Sequence, residues 1–183
     1  MNAHRWLLAA VLVLLAAPAQ AQTRFSLSGG ALVPLAKFAD TVDPSWRFGV
    51  RAEFQSVNAI GKKSRISYYL QAAYSPLSFT DEYKAALEAA GEEADGSYGE
   101  VGGGVRVYSR VSLFFISAGA GYARLEPGGS ADGENGFDLN AGAGFSIPLY
   151  LFKAEAHMTA HEVFIGGDDI QFLDALVSLA LPF

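Results

Sequence analysis

The chain has 183 residues, 13 Lys+Arg against 19 Asp+Glu, and no cysteine. That length suits one domain or one barrel, the acidic balance without a basic stripe argues against nucleic acid, and the lack of thiols removes disulfides, cysteine nucleophiles and cysteine-held metals. Hydrophobic residues nevertheless make up 51% of the sequence, and mean hydropathy is +0.21.

The chain starts "MNAHRWLLAAVLVLLAAPAQAQ". Arg5 supplies a positive start, Trp6 to Ala17 are apolar throughout, Pro18 breaks the run, and Ala19-Gln20-Ala21 fits the small-x-small cleavage rule. The apolar run is too short for a membrane-spanning helix of ~20 residues. Residues 1–21 therefore read as a secretory signal peptide and 22–183 as one mature domain. Cleavage removes Arg5 alone, so 13 basic residues become 12 against 19 acidic ones, a net charge of −7. No later stretch has the length of a membrane helix.

From there the chain reads with period two, the signature of strands. "RFSLSGGALV" comes first; "WRFGVRAEFQ" then sets Phe48, Val50, Ala52 and Phe54 against Arg47, Gly49, Arg51, Glu53 and Gln55. "RISYYLQAAYS" separates Ile66, Tyr68, Leu70, Ala72 and Tyr74 from Ser67, Tyr69, Gln71, Ala73 and Ser75. After "YGEVGGGVRVY", the strand "VSLFFISAGAGYARL" is the hardest to orient. Its "AGAGY" echoes "AGAGF" at 141–145, which puts Phe114, Ile116, Ala118, Ala120 and Tyr122 on the apolar face. "FDLNAGAGFSI", "FKAEAHMTAH" and "DALVSLALPF" complete eight strands. Each has about the ~9–11 residues that a tilted membrane strand needs.

The connections alternate long and short, as in an up-and-down meander with one elaborated rim. The longest, 76–96, holds one predicted helix. Thr80 can cap it, Asp81 and Glu82 suit its first turn, and Gly91 can end it. Tyr83, Ala86, Leu87 and Ala90 would form its apolar stripe.

Alternation does not say which face is inside. Charges of both signs sit in mid-strand, at Arg51, Glu53, Arg106 and Glu155, where lipid exposure would cost about 2–4 kcal/mol for a basic residue at the midplane. Aromatics gather at strand ends, where Trp46, Tyr74, Tyr98, Tyr108, Tyr122, Phe145, Tyr150, Phe152, Phe164 and Phe172 suggest two interfacial girdles. The rims differ too. Lys62, Lys63, Arg65 and Arg110 lie by the short turns, and a run of acidic residues such as Glu92, Glu93, Asp132 and Asp169 lies by the long loops.

With these features, "GEVGGGVRVY", "FFISAGAGYARL", "LNAGAGFSIPL" and the closing "LVSLALPF" resemble the small outer-membrane β-barrels of bacteria, the OmpX-like and OmpA-membrane-domain barrels, over residues 23–183. The resemblance implies an all-β, eight-stranded antiparallel up-and-down transmembrane barrel in the outer membrane. It also implies that the last strand, with Ala175, Val177, Leu179 and Leu181 alternating before Phe183, is read by the outer-membrane assembly machinery. Pro182 departs from the pattern, because it cannot donate a ladder hydrogen bond.

An eight-stranded barrel is just wide enough inside for side chains. The expected contents are a polar, ion-paired network of Arg47, Arg51, Glu53, Glu100, Arg106, Lys153, Glu155 and Asp174, joined by Asp138 and His157. No catalytic, cofactor or metal site is expected. His157 and His161 share a strand face, but spacing fixes no third ligand. His157-Met158-Thr159 offers Thr where one lipid A deacylase family uses Ser, and parity turns it inward. No GxSxG elbow occurs. The expected role is non-enzymatic: a monomeric structural or surface-interaction protein with lipids around it, a plugged lumen, and long loops facing an extracellular partner that the sequence does not name. A lipid A-modifying enzyme, a narrow porin-like channel and a soluble ligand-carrying barrel are the alternatives.

Overall fold

The computed structural model describes residues 23–55, 64–109, 113–126, 133–166 and 168–182. The leader, Phe183, and the basic residues Lys62, Lys63 and Arg110 lie outside the described residues. Eight long strands carry the alternation: β1 (Thr23–Leu35), β3 (Ser45–Gln55), β4 (Ser64–Phe79), β5 (Gly96–Ser109), β6 (Phe114–Glu126), β7 (Glu134–Pro148), β8 (Lys153–Ile165) and β9 (Asp168–Pro182). A two-residue strand, β2 (Val42–Asp43), and a helix, α1 (Asp81–Ala89), lie on the long-loop side.

Each long strand pairs antiparallel with its neighbour in sequence, and β1 pairs with both β3 and β9. Leu27 faces Val50 on one side and Leu179 on the other. The sheet therefore closes, and no long strand keeps an unpaired edge.

The outer wall is apolar. Leu27 is 70% exposed, Val177 61% and Trp46 69%, while Arg47, next to Trp46, is 1% exposed. Aromatics ring this wall twice. Tyr122, Phe137 and Phe164 are register partners near the long loops, and Phe114 packs edge-on against Phe145 at 5.7 Å near the short turns. Three residues expected in these girdles are not there: Tyr98, Tyr108 and Phe172 are buried. They share parity with Glu100, Arg106 and Asp174, and parity overrides their position near strand ends.

The glycines of β5 to β7 make room for what the lumen holds. A Cβ on Gly119 would collide with the Tyr69 hydroxyl and the Asn140 amide oxygen, and one on Gly144 with the Phe115 ring. Facing on β6 follows the echo with β7: Phe114, Ile116, Ala118 and Tyr122 are exposed, and Phe115 and Ala123 are buried.

The long-loop end of the interior is apolar rather than polar throughout. Leu32, Phe38, Leu77, Tyr98, Val163 and Phe172 belong to one buried cluster there. A 3-10 turn over Ala36–Asp40 folds Phe38 onto Phe172, with ring centroids 6.5 Å apart. Ala36 takes the left-handed conformation, φ 49°, to make this turn.

The predicted helix is present and ends at Gly91, whose φ is 77°. Tyr83 and Leu87 pack on the apolar cluster, while Ala86 and Ala90 stay exposed. Thr80 does not cap the helix with its side chain. Its hydroxyl instead donates to the Asp40 carbonyl at 3.3 Å, tying the helix to the 3-10 turn.

Candidate functional site

All eight residues expected in the lumen face inward, and they gather into two clusters. Toward the short turns, Arg106 Nη1 lies 2.6 Å from Glu155 Oε2 and 3.4 Å from Glu53 Oε2. The Tyr108 hydroxyl donates to Glu53 Oε2 at 2.8 Å, and Lys153 Nζ sits 2.9 Å from Glu155 Oε1. The Arg106 guanidinium rests over the Phe115 ring at 4.1 Å.

Nearer the apolar cap, Arg47 Nη2 lies 2.7 Å from Glu100 Oε2, and Arg47 Nε pairs with Asp174. Arg51 reaches an amide: its Nη2 donates to Gln71 Oε1 at 2.9 Å, and Gln71 Nε2 donates in turn to Glu100 Oε1 at 2.7 Å. The bridging amide joins the guanidinium to the carboxylate.

At the centre of this cluster stands His161, a lumen or rim residue by its strand face but absent from the expected ion-paired network. His161 places Nδ1 3.0 Å from Asp138 Oδ1 and Nε2 3.1 Å from Asp174 Oδ2, with its ring stacked on Phe172 at 4.5 Å. Both partners are acceptors when ionised, so a ring with a proton on each nitrogen satisfies both. Asn140 Nδ2 donates to the other oxygen of Asp138 at 2.6 Å, and Asn140 Oδ1 accepts from the Tyr69 hydroxyl at 3.3 Å. The signal was available: Tyr69, Asn140 and His161 have the parity of Gln71, Asp138 and Glu155.

A protonated His161 also balances charge. With it, Arg47, Arg51, Arg106 and Lys153 match Glu53, Glu100, Asp138, Glu155 and Asp174 one for one. Such pairing is required where water is excluded, because a buried unpaired ion costs several kcal/mol.

Glu100, Asp138 and His161 offer ligand atoms within 4.8 Å of one another and form the one such group among the described residues. The site suits a guanidinium better than a metal ion. Arg47 already holds Glu100 Oε2, the oxygen 3.5 Å from the imidazole. His157 differs from His161: it is 5% exposed and neither ring nitrogen has a hydrogen-bond partner. It lines a polar cavity of about 20 Å³ with Thr159, His161 and Asp174, room for one water.

At the long-loop rim, Glu126 accepts from Arg124 Nε at 3.0 Å and from the Ser97 hydroxyl at 3.1 Å. The bond from Arg124, then that from Ser97, holds its carboxyl below the ordinary glutamate value.

No family model matches the sequence, and no curated protein matches it. Solved structures do. The crystal structure of Neisserial surface protein A superposes with a TM-score of 0.60 at 10% identity, covering 88% of this chain and 97% of that one. The crystal structure of the outer membrane enzyme PagL gives 0.54 at 13% identity, covering 87% and 99%. At these identities the likeness speaks for the fold. Taken with the apolar outer wall, the aromatic girdles and the charged interior, it makes this chain a small eight-stranded β-barrel of the outer-membrane type.

Proposed function

We propose that this barrel resides in the outer membrane as a non-enzymatic, monomeric structural or surface-interaction protein, with its lumen closed and its long loops facing outward. The observation that carries this reading is the filling of the interior. Two ion-paired clusters cross the barrel, and the apolar cluster under the 3-10 turn and α1 covers them at the loop end. A conducting pore would need a continuous wet path. Planar-bilayer recording tests it: the expected trace is flat, and large, stable conductance would overturn the closed lumen.

The likeness to an enzyme of the same fold keeps lipid A modification as the second reading. Against it stand the two described histidines, His157 and His161, which are buried in the lumen rather than set on the lipid-facing wall. Mass spectrometry of lipid A with and without the protein tests this, and an altered acyl pattern would favour the enzyme. Phe183 as an assembly signal belongs to the same proposal. Its deletion is expected to impair insertion, and normal insertion of the deletion variant would remove that role.

A further inference from the structure

The short-turn mouth of the barrel is an open cavity of about 730 Å³, inside the ~300–1,000 Å³ range of small-molecule sites. Its walls are of two kinds. Arg24 from β1, Arg65 from β4 and Lys153 from β8 supply three cations, while Leu149, Leu151 and Phe152 of the β7–β8 turn supply an apolar flank. Among the described residues, no aspartate or glutamate lines it. Glu53 and Glu155, outside that lining, are engaged by Arg106, and Glu155 also holds Lys153.

Two further observations point to an anion. Arg24 Nη1 is shut off from solvent with no hydrogen-bond partner. Arg65 and Lys153 converge on one ring, with the guanidinium carbon 5.1 Å and Nζ 4.1 Å from the Tyr108 centroid. Glu155, 2.9 Å from Lys153, already supplies one counter-charge to this pair, and guanidinium forks fit phosphate oxygens two at a time. The apolar turn is also exposed: Tyr150 is 100% accessible and Leu151 69%. An aromatic and leucine-rich turn beside cations has the composition of a membrane-interface anchor.

We infer that this mouth binds the headgroup phosphate of an anionic phospholipid from the leaflet at the short-turn end, with the acyl chain lying along Leu149, Leu151 and Phe152. Arg24 and Arg65 hold the phosphate, and Lys153, already paired with Glu155, adds field without leaving its partner. The inference rests on the barrel lying in lipid, and on neither the closed lumen nor the absence of catalysis.

The test uses the barrel refolded in neutral maltoside micelles and titrated with dihexanoyl phosphatidylglycerol, dihexanoyl phosphatidylcholine or octanoate, followed by NMR shifts of the Arg24 side chain and the 149–153 amides. Phosphatidylglycerol is expected to bind about tenfold more tightly than phosphatidylcholine, a gap of one decade in Kd. Its affinity should fall as salt rises. The Arg24→Gln/Arg65→Gln double variant is expected to lose about tenfold in affinity for phosphatidylglycerol, with heat-modifiable gel migration unchanged. Should that pair fail to fold, Arg24→Gln alone should show a smaller loss, and Arg24→Lys should recover part of it. Equal affinity for the two lipids, octanoate matching phosphatidylglycerol, salt-independent binding, or undiminished affinity in a folded arginine variant would each overturn the inference.

Discussion

Arg106 Nη1 on β5 lies 2.6 Å from Glu155 Oε2 on β8, across the lumen and 49 residues away in sequence. Both side chains are almost wholly buried, and Glu53 reaches the same guanidinium nitrogen from β3 at 3.4 Å. Replacing Arg106 with alanine would leave the buried Glu53 and Glu155 without that cation. The expected cost is about 3–5 kcal/mol, the usual penalty for stranding a buried charge. Urea unfolding of the barrel in micelles measures it. Pairing Arg106→Met with Glu53→Gln should recover part of the loss, because one cation and one anion leave together and Glu155 keeps Lys153.

His161 holds Asp138 and Asp174 apart by contacting one with each ring nitrogen. His161→Leu should therefore lower the thermal midpoint, and adding Asp138→Asn should restore part of it, because Asp138 loses its cation while Asp174 keeps Arg47. His157→Leu, which removes a ring whose nitrogens have no hydrogen-bond partner, should cost less. Heat-modifiable gel migration across a temperature series compares the variants. Equal losses at the two positions would contradict the assignment of roles.

Gly119→Ala puts a methyl group where the Tyr69 hydroxyl and the Asn140 side chain meet. Overpacking of this kind costs about 1–3 kcal/mol. Removing the hydroxyl with Tyr69→Phe in the same molecule should return part of that stability, which is a coupling that a purely backbone effect of alanine would not give.

Val177 and Leu27 lie on the outer wall between the girdles. Lysine at either position should destabilise insertion by about 2–4 kcal/mol, the midplane cost of a basic residue facing lipid. Lysine at Tyr150, on the turn beyond the girdle, should cost about 0–1 kcal/mol, as near-interface positions do. Folding yields into liposomes rank the three variants. An equal cost at all three sites would argue against the assigned belt.

Glu126 should titrate with a midpoint below the ordinary glutamate value of 4.5, because Arg124 and then Ser97 hydrogen-bond its ionised form. The sign follows from linkage: a depressed folded value adds stability above the unfolded pKa, and that stability is lost as pH falls through the folded one. Carbon-detected NMR of the Glu126 carboxyl measures the midpoint. Arg124→Gln should move it upward.

Strand number, closure and the facing of residues such as Val50, Val177 and Ile116 were legible in the sequence, because period two is imposed by the pleat itself. Parity also placed Arg47, Glu53, Arg106 and Glu155 inside. Distance along a strand was a poorer guide. Tyr98 and Tyr108 lie near the ends of β5, where interfacial aromatics gather, yet their parity puts both hydroxyls on buried carboxylates. The apolar cap was not legible. "PLAKFADTVDPS" carries no period, and Phe38 reaches Phe172 only because Ala36 turns the chain back over the mouth. Partner choice was hidden for the same reason. Which carboxylate Arg47 meets depends on barrel shear, and that emerges from the whole register rather than from any one strand.

Two of the lumen pairs, Arg47–Asp174 and Arg106–Glu155, draw one partner from an early strand and the other from a late one. Arg47 arrives with β3, but Asp174 comes on β9; Arg106 arrives with β5, while Glu155 comes on β8. A sheet that has gained β1 to β7 and not yet closed carries Arg47 and Arg106 with part of their counter-charge missing. The last two strands bring that charge in the same step that removes the open edges. A half-built barrel is thereby electrically incomplete as well as open, and the charges inside act as a checkpoint that only full closure satisfies.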